Sequence, residues 1–272
     1  MAVLSPRQHE IVDLARDAAR VDVDSLAAHF DVTPQTIRKD LNELATQGLL
    51  QRFHGGAMLS SGVANLAYDR RRRLATGAKH AIGDRAAALI PDDCSLFINI
   101  GTTTEQVARA LRGRRGLMVI TNNLNVAHIL QGQSHIEVVV AGGVLRHSDG
   151  GIVGEAAVEF IRQFKVDYAV IGASAIDPDG ALLDFDYREV SVAKAIMAGS
   201  RHAMLVADHM KLSRSAPVRI GHLADLDTFV TDQPLPPELA RLCEEANVAI
   251  ALAGRQALET PERSDAGDEA WS

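Results

Sequence analysis

The stretch SLFINIGTTTEQVARAL, residues 95–111, joins an apolar run, one glycine and three threonines to a helical pattern. A buried strand that turns at a glycine into a helix is the repeating unit of an open α/β sheet. Gly101 allows the backbone to approach a ligand closely, and the threonines offer hydroxyls together with successive backbone N–H groups. The turn therefore predicts a cradle for an anion at the end of a strand.

Two details of this turn bear on what it binds. A helix that begins near Glu105 directs its positive end toward the threonines, and Thr103 with Gln106 fits a capping box. The string is neither GxxxxGK[ST] nor GxGxxG, so the nucleotide-binding motifs are not met. A phosphate group would satisfy these donors, and a capped strand–helix turn without a ligand is the alternative interpretation.

Apolar, strand-like runs recur from about residue 92 onward, and helical stretches separate most of them. The runs are SLFINI, LMVIT, IEVVVAG, DYAVIGAS, HAMLVAD, TFVT and VAIALA. Strands that alternate with helices predict an open, largely parallel α/β sheet over residues 92–254. In such sheets, ligands lie beyond the carboxyl ends of the strands.

Several of these predicted strand ends carry hydrogen-bond donors or charged side chains. Taken singly, each is compatible with a turn or a surface charge, but their convergence predicts one binding site for a small molecule. The candidate binding residues are Gly101, Thr102, Thr103, Thr104, Asn122, Gly143, Arg146, Gly172, Asp184, Glu189, Asp208 and Lys211.

The first 58 residues have a different pattern, with three helical segments followed by two short strands. Ser5 and Gln8 form a capping box for the first helix, Asp24 caps the second, and Thr33 caps the third, which Gly48 ends. The string LLQRFHGGAML then predicts two short strands around a pair of glycines. This order predicts a winged helix-turn-helix domain.

In that fold, the third helix enters the major groove of DNA. Gln and Arg side chains can make bidentate contacts to adenine and guanine, whereas the more distant basic side chains contact phosphates. The alternative is a solvated face of an ordinary three-helix bundle. The candidate DNA-binding residues are Thr33, Gln35, Thr36, Arg38, Lys39, Asn42, Arg52 and His54, with Lys39, Arg52 and His54 as phosphate contacts.

Residues 59–91 are predicted to form a linker and a connecting helix. Arg70 to Arg73 form a block of four bases, for which a solvated helix start is favoured over an electrostatic clamp on the DNA backbone. Residues 255–272 mix Pro, Ser, Gly and acidic residues, which predicts a disordered acidic tail.

Composition excludes several classes of protein. Hydrophobic residues make up 47% and charged residues 23%, as in a soluble globular protein, and the net charge of −7 argues against a surface coated with nucleic acid. No apolar run approaches the roughly 20 residues of a membrane span, and no signal peptide is evident. Cys94 and Cys243 are isolated, which argues against a disulfide framework or a cysteine-based zinc site. We therefore expect a cytoplasmic protein with no membrane partner, no metal and no cofactor.

The string VTPQTIRKDLNELATQGLLQRFHGGAML, residues 32–59, closely resembles the N-terminal signature of the DeoR family of bacterial transcriptional regulators. The resemblance implies a winged helix-turn-helix that binds operator DNA as a homodimer or homotetramer. The matching residues are Thr36, Ile37, Arg38, Asp40, Leu41, Leu44, Gly48, Leu50, Arg52, His54, Gly55, Gly56 and Ala57.

The second half also resembles the DeoR family, in the strings GTT, TNNLNVA, AGGVLR and ADHMK. The resemblance implies a sensor domain that is similar in fold to ribose-5-phosphate isomerase and that binds a phosphorylated metabolite. The string LLDFDYREV is most similar to the branch of the family that responds to glycerol-3-phosphate, so this or a related sugar phosphate is the expected effector. Two departures stand out: Asn99, beside the cradle, replaces the usual Asp, and Leu212–Ser213 replaces Phe-Gly. Asn99 removes a negative charge near the ligand, and we count it with the binding site.

We therefore expect a DNA-binding repressor that a phosphorylated metabolite releases from its operator, and not an enzyme. The alternative is a sugar-phosphate isomerase with an appended DNA-binding head, in which Glu189 acts as a base beside Lys194 or Lys211. The string GALLDFDYREV lacks the glycine-rich run that precedes the Arg-Glu pair in the isomerase, which argues against turnover.

Overall fold

The protein is described here from a computed structural model. The structure describes residues 4–18, 20–47, 49–53, 55–59 and 68–254. Gly48, His54, the predicted tail at 255–272 and residues 60–67 of the predicted linker lie outside the described residues.

The N-terminal part is a three-helix bundle covered by a small antiparallel sheet. Its elements are α1 (Pro6–Ala18), β1 (Arg20–Asp22), α2 (Val23–Phe30), α3 (Pro34–Thr46), β2 (Leu50–Phe53) and β3 (Gly56–Leu59), with strand order β1-β3-β2. Ile11 of α1 packs with Leu26 of α2 and with Ile37, Leu41 and Leu44 of α3 in a common core. The predicted winged helix-turn-helix is confirmed.

Capping interactions fix where these helices begin. Ser5 and Gln8 form the predicted capping box, because the Gln8 amide donates to Ser5 Oγ at 3.2 Å and the Ser5 amide donates to Gln8 Oε1 at 3.0 Å. The prediction of Asp24 as the second cap is wrong. Asp22 takes this role: its extended backbone ends β1, and its carboxylate accepts a hydrogen bond from the Ser25 amide at 2.8 Å.

Two helices lead from the N-terminal part into the second one: α4 (Tyr68–Arg73) and α5 (Thr76–Leu89). Ala75 separates them with a left-handed backbone, at a φ of 50°. The chain therefore turns sharply between α4 and α5, and α4 is a separate short helix.

The second part contains strands and helices in near alternation. Its elements are β4 (Ser95–Ile98), α6 (Thr104–Ala110), β5 (Leu117–Thr121), α7 (Leu124–Leu130), β6 (Ile136–Val140), β7 (Val144–Arg146), β8 (Gly151–Val153), α8 (Glu155–Ile161), β9 (Val166–Ile171), β10 (Ala175–Ile176), β11 (Ala181–Asp184), α9 (Tyr187–Ala198), β12 (Ser200–Val206), β13 (Val218–His222), β14 (Thr228–Thr231), α10 (Pro237–Glu245) and β15 (Ala249–Leu252).

The main sheet has seven strands in the order β15-β14-β12-β9-β4-β5-β6, and every neighbouring pair is parallel. Its strands are the seven apolar runs of the sequence, as expected for a sheet that is buried on both faces. The α5, α6 and α7 helices pack on one face, and α8, α9 and α10 pack on the other. The predicted open parallel α/β sheet is confirmed.

Strand order places one crevice at the centre of this sheet. From β4 the chain proceeds outward through β5 to β6, and it then returns to β9 on the other side of β4. The order therefore reverses between β4 and β9, and ligands of open α/β sheets bind at such a reversal, beyond the carboxyl ends of the strands. The small β10-β11-β13 sheet contributes further residues there.

Candidate functional site

The first candidate site is the outer face of α3. Thr33, Gln35, Arg38, Lys39 and Asn42 are exposed there, whereas the opposite face of the helix is buried in the core. Thr33 caps the helix by accepting a hydrogen bond from the Thr36 amide at 3.3 Å. The structure thus presents a row of polar side chains that is free to reach base edges.

Two other predicted DNA contacts are less exposed. Thr36 is half-buried, and its hydroxyl lies 2.9 Å from that of Thr33. Arg52, on β2, is also half-buried, and its Nη1 is a buried donor without a partner in the described part of the chain. His54 lies outside the described residues.

A buried polar contact fixes α3 against α1. Asp40, on the inner face of α3, accepts hydrogen bonds from Arg7 Nε at 2.7 Å and from Gln8 Nε2 at 3.4 Å. Gln8 Nε2 also donates to Glu43 at 2.6 Å. These bonds set the rotation of α3 about its axis and hence the direction of its exposed side chains.

The second candidate site is a cavity at the strand-order reversal between β4 and β9. The loop after β4 supplies one wall, the loop after β9 supplies another, and α4, α9 and the segment after β12 close it. The residues that line it are Arg71, Ile100, Gly101, Thr102, Thr103, Thr104, Gly172, Ala173, Ser174, Asp184, Glu189, Val206 and Lys211.

The threonine turn forms the floor of the cavity. The fully buried Thr104 donates its hydroxyl to the carbonyls of Asn99 and Gly101, both at 2.8 Å, which pins the turn against β4. No backbone acceptor for the amides of Thr102, Thr103 and Thr104 occurs among the described residues. Adjacent unpaired amides of this kind form a nest that suits an anion.

The capping box predicted for this turn is wrong. Thr103 has a helical backbone, with φ −82° and ψ −40°, and its side chain makes no capping bond. An N-cap side chain reaches back to the helix only from an extended backbone. The Thr103 hydroxyl therefore stays available to a ligand. Because α6 has only seven residues, the anion cradle depends on these local donors more than on a helix dipole.

One side of the cavity is strongly cationic. Lys211 is buried, and its burial, followed by the proximity of Arg214, lowers the pKa of its amine to about 7. Lys79 lies close by, and burial lowers the pKa of its amine to about 8. The Asp208 carboxylate opposes both shifts, but it does not balance the neighbouring cations, which include Arg71. An anion bound here would relieve this imbalance.

The opposite side of the cavity carries two carboxyl groups, of Asp184 and Glu189. Burial raises the pKa of Glu189, and the nearby Asp184 raises it further. Arg146 lies behind Glu189 and donates from Nη2 to its carboxylate. A buried carboxyl group that is partly protonated near neutral pH can both donate to and accept from a ligand hydroxyl.

Arg146 is already fully engaged by protein carboxylates. Its Nε and Nη2 donate to Asp149 at 2.8 and 2.7 Å, and its Nη1 donates to Asp186 at 3.2 Å. Arg146 therefore positions Glu189 from outside the cavity, and it is not among the residues that line it.

Eight of the predicted binding residues line the cavity, and five do not. Asn99 turns its Oδ1 back to the Ile100 amide, at 2.7 Å. Asn122 donates from Nδ2 to the Ile152 carbonyl at 3.1 Å. Gly143 has a positive φ, and an added Cβ would lie 3.0 Å from a neighbouring carbonyl, so it serves close packing. The other two are Arg146 and Asp208, and Asp208 accepts a hydrogen bond from the Met210 amide at 3.1 Å.

The sequence prediction missed Arg71. The preferred interpretation, a solvated helix start, is wrong for this residue, because Arg71 reaches into the cavity and donates to Asp149 at 3.2 Å. Arg72 and Arg73 are exposed. A run of four like residues on a helix points in several directions, and only the fold shows which one faces inward.

The described residues contain neither a metal site nor a membrane-spanning helix. No group of His, Cys, Asp and Glu there could hold a metal ion. Within the same residues, no helix has the length and apolar character that crossing a membrane requires.

Two family descriptions match this chain. The family description "DeoR-like helix-turn-helix domain" matches residues 7–62, and "DeoR C terminal sensor domain" matches residues 75–233. The chain is 44% identical over 246 residues to the glycerol-3-phosphate regulon repressor of Escherichia coli (strain K12), covering 90% of this chain and 98% of that protein. It is 45% identical over 248 residues to the protein of the same name from Haemophilus influenzae, covering 91% and 96%. These relatives are regulators, which confirms the expectation that the chain is not an enzyme.

A third relative, the HTH-type transcriptional repressor CsqR of Escherichia coli (strain K12), is 42% identical over 248 residues, covering 91% of this chain and 95% of that protein. Among solved structures, ribose 5-phosphate isomerase A from Methanocaldococcus jannaschii aligns with a TM-score of 0.38 and 16% identity, covering 49% of this chain and 53% of that one.

Proposed function

Because the chain belongs to the DeoR family, we propose that it is a transcriptional repressor that leaves its operator when a phosphorylated metabolite binds the sensor cavity. We further propose glycerol-3-phosphate as this metabolite. Residues 1–58 form the DNA-binding domain in this proposal, residues 59–91 connect the domains, and residues 92–254 form the sensor.

The observation that carries the effector proposal is the polarity of the cavity. Unpaired amides and threonine hydroxyls lie beside the buried Lys211 at one end, and Asp184 and Glu189 lie at the other. A phosphate suits the cationic end because it would be held by charge-assisted hydrogen bonds. Hydroxyl groups suit the carboxyl end. A polyol phosphate such as glycerol-3-phosphate combines both groups in one small molecule.

The names of two relatives support the same ligand. Two relatives with 44% and 45% identity over nearly their whole length are named for the glycerol-3-phosphate regulon. CsqR, which is 42% identical, carries a different name, so identity at this level leaves the choice of sugar phosphate to experiment.

The exposed face of α3 supports the DNA-binding half of the proposal. Gln35, Arg38 and Asn42 are the proposed base contacts, and Lys39, Arg52 and His54 are the proposed phosphate contacts. We propose a homodimer or homotetramer, because helix-turn-helix proteins bind paired half-sites about one helical turn apart.

An electrophoretic mobility shift on the promoter region of the gene that encodes this chain tests the proposal. The protein–DNA complex is titrated with glycerol-3-phosphate and, separately, with fructose-1-phosphate and fructose 1,6-bisphosphate. Release by glycerol-3-phosphate at the lowest concentration is the expected result. Release by the fructose esters alone would reject the effector, and a failure to bind DNA would reject the repressor.

The isomerase alternative is not favoured, because the relatives reported above are repressors. A spectrophotometric assay with pentose and triose phosphates checks it directly, and we expect no turnover above the rate without protein.

A further inference from the structure

The α4 helix joins the DNA-binding part to the sensor, and buried sensor residues hold it in place. Tyr68, in its first turn, donates from its hydroxyl to Glu105 Oε1 at 2.7 Å. Arg71, one turn later, donates to Asp149 Oδ2 at 3.2 Å. Glu105 and Asp149 are both buried. The position of α4 is therefore tied to the sensor at two separate points.

The end of α4 is held by a third buried residue. Lys79, on α5, donates from Nζ to the carbonyl of Leu74 at 2.8 Å and also to the carbonyl of Arg71. These carbonyls lie at the end of a short helix, where no following turn supplies N–H groups to them. Lys79 thus anchors the junction between α4 and the sensor.

Arg71 also belongs to the wall of the cavity, where it faces the threonine cradle and Lys211. Its Nη2 is engaged by Asp149, but its Nε is a buried donor without a hydrogen-bond partner in the described part of the chain. Leaving a buried donor of a charged group unpaired is costly. An anion in the cradle would supply the missing acceptor.

We propose that Arg71 is a direct contact for the anionic group of the effector, and that this contact couples the sensor cavity to the DNA-binding domain through α4. The inference rests on the proposed function, since it names how the same cavity acts on DNA. Only eight residues, 60–67, separate the end of β3 at Leu59 from the start of α4 at Tyr68, so a displacement of α4 would also displace the point to which the wing is attached.

The charges around the cavity give the direction of the coupling. Lys79 lies among Arg71 and Arg214, which disfavour its charged form, and Asp208 opposes them. A phosphate dianion in the cradle attracts the guanidinium of Arg71, which Asp149 already holds, and so holds α4 more firmly against the sensor. The effector therefore favours the state in which α4 is held against the sensor. It releases the protein from DNA when the operator favours the state in which α4 is detached from the sensor.

The test compares Arg71→Gln with Arg73→Gln in the full chain. Arg73 lies two residues along the same helix and is exposed, so its variant is a matched control for charge. Titration calorimetry with glycerol-3-phosphate gives the effector dissociation constant, and inorganic phosphate serves as a second probe in a thermal-shift assay. Operator affinity is then measured with and without glycerol-3-phosphate for each variant.

We expect Arg71→Gln to weaken glycerol-3-phosphate binding by roughly 10- to 100-fold, the usual effect of losing a hydrogen bond to a charged group. The ratio of operator affinities without and with saturating effector should fall toward 1. Arg73→Gln should leave effector affinity within about twofold, within the range expected of an exposed substitution. Arg71→Lys, which retains the charge but loses the Nε–H, should give an intermediate loss and covers the case in which Arg71→Gln does not fold.

Tyr68→Phe separates coupling from binding, because it removes the bond to Glu105 without altering the wall of the cavity. It should reduce the ratio of operator affinities more than it reduces effector affinity.

Wild-type effector affinity in Arg71→Gln would overturn the assigned contact. Weaker binding with an unchanged affinity ratio at saturation would overturn the coupling through α4. If wild-type protein responds to no sugar phosphate on DNA, the proposed function fails instead. The dependence of inorganic phosphate binding on Arg71 then still decides whether the contact exists.

Discussion

Effector binding should take up a proton at Lys211. The pKa of this amine is about 7 in the protein without ligand, because of burial and the neighbouring Arg214. A phosphate beside it favours the charged form, so the pKa rises on binding. At any pH at which Lys211 of the ligand-free protein is mostly neutral, binding must draw a proton from solution. Effector affinity must therefore fall as the pH rises above about 7.

The size of the effect follows from the same pKa. At pH 8, one unit above it, about one tenth of free Lys211 is protonated, so binding takes up about 0.9 proton at this site. Affinity falls by up to about tenfold per pH unit while only the bound form remains protonated. The phosphate group, with a second pKa of about 6, is already a dianion at this pH and contributes little.

Calorimetry at pH 8 in two buffers with different ionisation enthalpies counts the protons. Lys79, with a pKa of about 8, and Glu189, whose pKa is raised, also exchange protons in this pH range. The pH profile alone therefore does not isolate Lys211, and the comparison with Lys211→Met does. The variant should take up about 0.9 proton fewer than the wild type and bind more weakly. Lys165→Met is the control, since Lys165 is exposed just before β9 and does not line the cavity. Equal proton uptake in Lys211→Met and wild type would refute the reasoning.

Three further predictions follow from individual contacts. Thr103→Ala should weaken effector binding by roughly tenfold without changing operator affinity, because its hydroxyl makes no capping bond and is free for the ligand. Calorimetry measures the effector affinity, and a mobility shift measures the operator affinity. Arg38→Ala should cost about 1–3 kcal/mol of binding free energy at particular base pairs of the operator. Lys39→Ala should instead weaken binding to all sequences and lower the slope of log binding constant against log salt concentration by about 1. Operator variants titrated at several salt concentrations distinguish the two. Arg146→Met should destabilise the fold by about 3–5 kcal/mol in urea unfolding, because it removes the cation of the buried Glu189 and leaves Asp149 with Arg71 alone; a loss below 1 kcal/mol would contradict this.

The fold was largely accessible from the sequence, because its signals are local. The capping box of Ser5 and Gln8 depends on residues three apart, and it was found as predicted. The apolar runs identified all seven strands of the main sheet, since the strands of a parallel sheet covered by helices on both faces are largely apolar. The error at Asp24 is of two residues: β1 extends to Asp22, which leaves Asp22 at the boundary with the extended backbone that a cap requires.

The candidate site was only partly accessible. Parallel strands bring their carboxyl ends to one edge, so the convergence of Gly101, Gly172 and Lys211 could be predicted. Which polar residues of a loop face inward depends on loop conformation, and for that reason Arg146 and Asn122 were expected in the cavity but lie behind it. Arg71 was missed because its partner, Asp149, lies 78 positions away in sequence.

The central claim is that occupation of the sensor cavity lowers affinity for the operator. Linkage requires the effect to be reciprocal, so the most direct measurement is the dissociation constant of glycerol-3-phosphate with and without saturating operator DNA in one buffer. The account predicts that operator weakens effector binding by the same factor by which effector weakens operator binding, roughly 5- to 150-fold for a typical coupling. An effector dissociation constant that is unchanged by operator DNA would contradict it.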